Sequence, residues 1–78
     1  MIPKRGPKIN RFAVQAIRVS QGLSQVALAR RAQLDNSYVC RLESGQRSRP
    51  APIITRRLAD ALGVPVAAII INPDSVSA

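Results

Sequence analysis

Residues 25–45 read QVALARRAQLDNSYVCRLESG, and two short helices joined by a tight turn are the natural reading. Ser24 is an N-cap for a first helix from about Gln25 to Ala32, whose inner face is Leu28, Ala29 and Ala32. Gln33 and Leu34 form the turn, with Leu34 as the apolar plug between the helices. Asp35 is an N-cap for a second helix, Asn36 to Ser44, that stops at Gly45. Val39 and Leu42 face inward at i and i+3. On the opposite side Ser37 and Arg41 lie one turn apart, and Asn36 stands at the exposed N-terminal end.

Working outward, Asn10 caps a helix from Arg11 to Gln21 that closes at Gly22. Val14, Ile17 and Gln21 make its apolar stripe, and Arg18 beside the stripe requires a partner. After Gly45 comes QRSRPAP, residues 46–52, a loop stiffened by proline that carries Arg47 and Arg49. A fourth helix runs from Pro52 or Ile53 to Leu62, with Ile54, Leu58 and Leu62 inward and Arg56, Arg57 and Asp60 outward. Gly63 ends it. A last short helix is expected from Val66 to about Ile71, broken by Asn72-Pro73. Met1 to Lys8 holds Pro3, Gly6 and Pro7 among Lys4, Arg5 and Lys8, a composition for a flexible basic arm over residues 1–9 or simply a frayed end. The expectation is an all-α chain of five helices, folded over residues 10–72, with residues 73–78 a frayed tail.

Composition narrows the function. The chain has 78 residues, and at this size only about 60% of the unfolded surface is buried on folding, which favours one economical helical core. Twelve Lys and Arg oppose four acids for a net charge of +8. Ten of the twelve are Arg, the side chain that forks onto phosphates and guanine edges, so a polyanionic partner is expected. There is no His and a single Cys40, which leaves no material for a His-based catalytic site, a Cys/His zinc site or an internal disulfide. The acids are too few and scattered for paired-carboxylate or metal work, so neither enzyme activity, cofactor nor metal is expected. The longest apolar run, Val64 to Ile71, is far short of the roughly 20 residues that span a bilayer. Met1 to Arg11 has charge but no apolar segment behind it, unlike a secretory signal, and a cytoplasmic location is expected. One Phe, one Tyr and no Trp provide no platform for stacking single-stranded bases. Cys40 is expected near the back of its helix as a small filler.

Short polar residues followed by a long Arg suit a helix whose N-terminal end enters a major groove, although any surface helix has a polar face. At this point the pattern ceases to be generic. GLSQ at 22–25, LARRA at 28–32, YVCRLESGQRSRP at 38–50 and LADALGV at 58–64 closely resemble the phage repressor and Cro family, the lambda-repressor-like or Xre helix-turn-helix proteins. The resemblance spans about Arg11 to Ile71. It implies a compact five-helix domain, helix-turn-helix at helices 2 and 3, binding double-stranded operator DNA as a two-fold dimer. It assigns base contacts to Asn36, Ser37 and Arg41. Asn36 matches adenine and Arg41 guanine, each worth about 1–3 kcal/mol of discrimination. It assigns phosphate or minor-groove contacts to Gln25, Arg47 and Arg49, and to Tyr38 either a phosphate contact or packing over the turn. The basic arm, with Lys4, Arg5 and Lys8, would follow the backbone or enter a groove. Arg18 and Glu43 match a buried interhelical ion pair with a structural role.

Three departures from the family pattern stand out. Gln33 replaces a frequent Gly, at a cost of about 1 kcal/mol if the turn is left-handed. Val26 and Ala27 replace charged residues on helix 2. The last helix lacks its polar cap, leaving Val66, Ile69, Ile70 and Ile71 as candidates for a dimer contact or for core. The function implied is a sequence-specific regulator of the phage or prophage repressor type, bacterial or phage-encoded, reading a pseudo-palindrome. Two alternatives are an antitoxin that represses its own operon and binds a toxin, and a protein-interaction module that no longer reads operators.

Overall fold

Capping side chains start the first two helices. Asn10 Oδ1 accepts from the Ala13 N–H at 3.1 Å and Ser24 Oγ from the Ala27 N–H at 3.0 Å, each satisfying one of the orphan donors of a helix start. The computed structural model of the chain describes residues 6–71. Its helices are α1 (Arg11–Ser20), α2 (Gln25–Ala32), α3 (Asn36–Ser44) and α4 (Pro52–Leu62), followed by one turn of 3₁₀ helix at Val66–Ala68. Pro52 begins α4, where its missing N–H costs nothing. Among the described residues there is no strand, only an isolated antiparallel bridge between Ile9 and Ile70.

Helix α2 packs against both α3 and α4, and α1 against α3. Val14, Leu28, Val39, Leu42, Leu58 and Leu62 meet in the centre. Ala29 and Ala32, both buried, let the neighbouring helices approach α2 closely. On α4 the inward face is Thr55, Leu58, Ala59 and Leu62, while Ile54 is only half-buried. The stripe is thus rotated from the expected Ile54–Leu58–Leu62 line. Thr55 enters the core because its hydroxyl can turn back onto the Ala51 carbonyl, at 3.5 Å.

The fifth helix is not formed. After the single 3₁₀ turn the chain becomes extended, because its backbone is used elsewhere. The Ile69 carbonyl accepts from the Asn10 N–H at 2.8 Å, and the Ile71 N–H donates to the Lys8 carbonyl at 2.8 Å. Those bonds also correct the expected extent of the arm. Residues 6–9 belong to the folded body: the Ile9 N–H donates to Ser48 at 2.7 Å and the Gly6 N–H to Pro50 at 2.9 Å, and Ile9 is buried. A side chain at position 6 would place its Cβ 2.7 Å from the Pro50 carbonyl, so only glycine fits. Lys4 and Arg5 of the arm, and the tail at 73–78, lie outside the described residues.

The turn between α2 and α3 is left-handed at Gln33, with φ 59° and ψ 43°. Its N–H reaches Arg30 O at 3.2 Å while the Leu34 N–H reaches Ala29 O at 2.8 Å, closing the last turn of α2. Gln33 is the one non-glycine at positive φ among the described residues. Exchange for glycine removes about 1–2 kcal/mol of steric cost and loses part of it to the freer unfolded chain. Gln33→Gly should therefore raise stability in urea unfolding by roughly 0.5–1 kcal/mol; a midpoint that stays put or falls would show that the turn is unstrained.

Candidate nucleic-acid interface

Helix α3 is held from behind and bare in front. Val39, Leu42 and Glu43 are buried on one side. Asn36, Ser37, Cys40, Arg41 and Ser44 are exposed on the other. The 3.6-residue period accounts for the front: Ser37, Arg41 and Ser44 fall at i, i+4 and i+7, with Cys40 between. Cys40 was expected near the back. It is exposed because it lies three residues after Ser37 and four after Asn36, and that spacing alone identifies it as a fourth member of the outward stripe.

The back of α3 is anchored through Glu43. Arg18 Nε donates to Glu43 Oε2 at 2.7 Å and Nη2 to Oε1 at 3.0 Å, a bidentate pair whose side chains are 12% and 4% exposed. Arg18 Nη1 is spent on the Leu23 carbonyl at 2.7 Å, which pins the link between α1 and α2. Gln25, given by the resemblance as a phosphate contact, is half-buried and donates from Nε2 to Glu43 Oε1 at 3.1 Å. One of its two amide hydrogens is therefore committed inside the protein, and the other remains for a ligand.

Two further side chains close the ends of α3. At its start Asp35 occupies the N-cap position with extended backbone but makes no capping bond; its Oδ2 accepts instead from Ser37 Oγ at 2.9 Å. At its C-terminal end Arg11 Nη1 donates to the Glu43 carbonyl at 3.3 Å, a cation placed where the helix dipole is negative. Gly45, at φ 92°, leaves room for that guanidinium: a Cβ there would meet Arg11 Cζ at 3.3 Å. Sequence reasoning missed Arg11, although an Arg immediately after the cap of α1 was visible.

The other candidate contacts divide by burial. Arg47 and Arg49 are exposed in the loop that follows α3, and Lys8 is exposed next to it. Tyr38 is half-buried against the core, with the Arg47 guanidinium 5.2 Å from its ring centroid. Of the four apolar candidates for a dimer contact, Ile69 is wholly buried and belongs to the core. Val66 and Ile70 are half-buried, and Ile71 is exposed. Among the described residues no group of His, Cys, Asp and Glu is placed to hold a metal ion, and no helix is long and apolar enough to cross a membrane.

Comparison with known proteins agrees with the helix-turn-helix fold. Residues 13–69 match a family model described as a helix-turn-helix domain. Among solved structures, the restriction-modification controller protein C.AhdI from Aeromonas hydrophila is 34% identical with a TM-score of 0.69, over 76% of this chain and 91% of that one. A hypothetical transcription factor, NHTF from Neisseria, is 30% identical with a TM-score of 0.74, over 86% and 76%. The restriction-modification controller C.Esp1396I is 25% identical with a TM-score of 0.66, over 70% of each chain. Comparison with curated proteins gives no match.

Removing one partner of a buried pair strands the other charge, at about 3–5 kcal/mol. Arg18→Ala is accordingly expected to lower the unfolding free energy by about that amount. In the double variant Arg18→Met/Glu43→Leu, which strands no charge, more than half of the loss should be recovered. A thermal melt of Arg18→Ala matching the unsubstituted protein would exclude the anchoring role.

Proposed function

Because the chain belongs to the helix-turn-helix domain family, we propose that it is a sequence-specific double-stranded DNA-binding transcription regulator whose α3 enters the major groove. The observation that carries this is the division of α3 itself. Its back is fixed by Val39, Leu42 and the Glu43 anchor, and its front offers Asn36, Ser37, Cys40 and Arg41 exposed, with no described residue packed over them. A helix presented this way positions base-reading groups without having to order them on binding.

The chemistry of each group sets its preference. Asn36 offers an amide donor and acceptor that match adenine N7 and N6, and Arg41 a fork that matches guanine O6 and N7. The Ser37 hydroxyl proton points to Asp35, so toward a base Ser37 presents lone pairs, suited to an adenine or cytosine amino group. Cys40 adds a small apolar surface for a thymine methyl. Arg47, Arg49 and Lys8, with the free amide hydrogen of Gln25, attach the backbone phosphates and supply the salt-dependent part of the affinity. Lys4 and Arg5 extend the same charge along the duplex.

Two copies on a pseudo-palindrome, meeting through Val66, Ile70 and Ile71, complete the proposal. A regulator of the phage-repressor type would act by occupying a promoter. The restriction-modification controllers that this chain resembles support a regulatory role of that scale.

Binding to the DNA upstream of its own gene, measured across salt concentrations, tests the role. A steep salt slope and preference for one pseudo-palindrome with half-sites about one helical turn apart are expected; equal affinity for every sequence would sink it. Arg41→Ala should lose about 1–3 kcal/mol of discrimination, or roughly 5- to 150-fold, at a single base position and leave non-specific affinity nearly intact. Alkylation of Cys40 by N-ethylmaleimide should abolish preferential binding, and preferred DNA should slow the alkylation. Equal alkylation rates with and without that DNA would place α3 outside the groove.

A further inference from the structure

Between the start of α1, the end of α3 and the loop at 46–49 lies an open cleft of about 480 Å³. Lys8, Arg11, Arg47 and Ser48 supply its polar wall, and Phe12 and Ile71 stand at its apolar side. Among the described residues no Asp or Glu lines it. The nearest acid along the chain, Glu43, is engaged by Arg18 and Gln25, so no described carboxylate neutralises the cations of the cleft.

We propose that this cleft holds a backbone phosphate of the bound duplex, with Arg11 as a phosphate-binding residue. The inference rests on the DNA-binding role proposed above and adds a contact to it. Arg11 is already oriented. One of its terminal nitrogens donates to the Glu43 carbonyl, its guanidinium lies 4.5 Å from the Phe12 ring centroid, and it lies so close to Gly45 that a Cβ there would meet Cζ at 3.3 Å. A guanidinium fixed by its carbonyl bond and its ring contact loses little freedom when it takes a phosphate with its remaining N–H groups. Lys8 adds a point charge and Ser48 a hydroxyl donor. Phe12 is 67% exposed, an unusual state for the one Phe of the chain, and its ring offers an apolar surface to the deoxyribose beside that phosphate.

The cleft is also in line with the base-reading stripe. Ser44, whose hydroxyl donates to the Arg41 carbonyl at 3.1 Å, forms part of its rim and follows Ser37 and Arg41 on the same face of α3. A duplex that follows the stripe past Arg41 therefore reaches the cleft next, on the same side as the loop cations.

The test is the dependence of log K on log salt for two short duplexes, one from the chain's own upstream region and one of scrambled sequence. The proteins are the full chain, Lys8→Gln/Arg11→Gln, and Arg56→Gln as an exposed cation on another face. One lost phosphate should reduce the slope of the double variant by about 0.9 on both duplexes and leave their affinity ratio unchanged. Arg56→Gln should keep the parental slope. An unchanged slope in the double variant overturns the proposal, as does an equal drop in Arg56→Gln, which would mark a general charge effect. If the double variant does not unfold cooperatively, Lys8→Gln alone decides by the same criterion, since Lys8 is exposed. A slope that drops in a protein with no preference between the duplexes upholds the cleft and refutes sequence reading. A clear preference with an unchanged slope refutes the cleft and the phosphate contact of Lys8, and leaves sequence reading by α3 standing.

Discussion

The contact between Arg18 and Glu43 fixes how α3 is rolled about its own axis, and everything on the outer face depends on that roll. A buried ion pair is not an efficient source of stability, because desolvation consumes most of what the attraction returns. An apolar pair of the same volume would hold α1 and α3 together as well. What it would lack is direction. Two parallel N–H···O bonds, a third from Arg18 to Leu23 and a fourth from Gln25 to Glu43 tie α1, the α1–α2 link, α2 and α3 to one carboxylate. Slipping α3 by a single residue turns its face by about 100°. That would break all the bonds to Glu43 and bury part of the polar stripe.

Roll is one degree of freedom; the angle between α2 and α3 is another, and the Gln33 turn sets it. A left-handed residue at that point reverses the chain while Leu34 stays against the core. Glycine would make the same turn with less strain, so the native chain tolerates a cost on the order of 1 kcal/mol here. Gln33 is exposed, and nothing within the described residues explains why glutamine is used.

Much of this was legible locally. Asn10, Ser24 and the glycines marked the helix ends, and the apolar period gave the inner faces of α2 and α3. An Arg bordering an apolar stripe demanded a partner, and the family resemblance matched Arg18 to Glu43. The failures share a cause, which is pairing between distant segments. Whether Ile69–Ile71 continues as helix or extends is decided by Lys8, Ile9 and Asn10, some sixty residues earlier, and periodicity within a short window carries no trace of that. Bonds of Gly6 to Pro50 and of Ile9 to Ser48 likewise fold residues 6–9 into the body, where composition alone indicated a free arm or a frayed end. Thr55 is buried beside Ile54, which packs half-buried against the core, and its hydroxyl reaches the Ala51 carbonyl at the start of α4. Cys40 is exposed on the outer face by the same 3.6-residue period that groups Ser37 with Arg41. Base and phosphate contacts are a different matter: they involve a partner absent from both sequence and fold, and side-chain chemistry argues for them only as far as charge, reach and exposure allow.

In the proposed DNA-binding role, charge is distributed so that attachment and choice would fall to different residues. Among the described residues Glu43 is neutralised within the core and Asp60 sits on the outer face of α4, away from α3. Asp35 is the exception, an exposed carboxylate at the entrance of the helix that would enter the groove. There it would repel phosphate and reduce non-specific affinity, a loss that the twelve Lys and Arg of the chain would offset. Its return is in selectivity. By accepting the Ser37 proton it leaves an acceptor pair at the N-terminal end of α3, opposed to carbonyl-rich base edges and matched to amino groups. A strongly basic chain binds any duplex; an acid placed at its reading end penalises the wrong ones, and that repulsion, more than the net charge of +8, is what would turn attraction into discrimination.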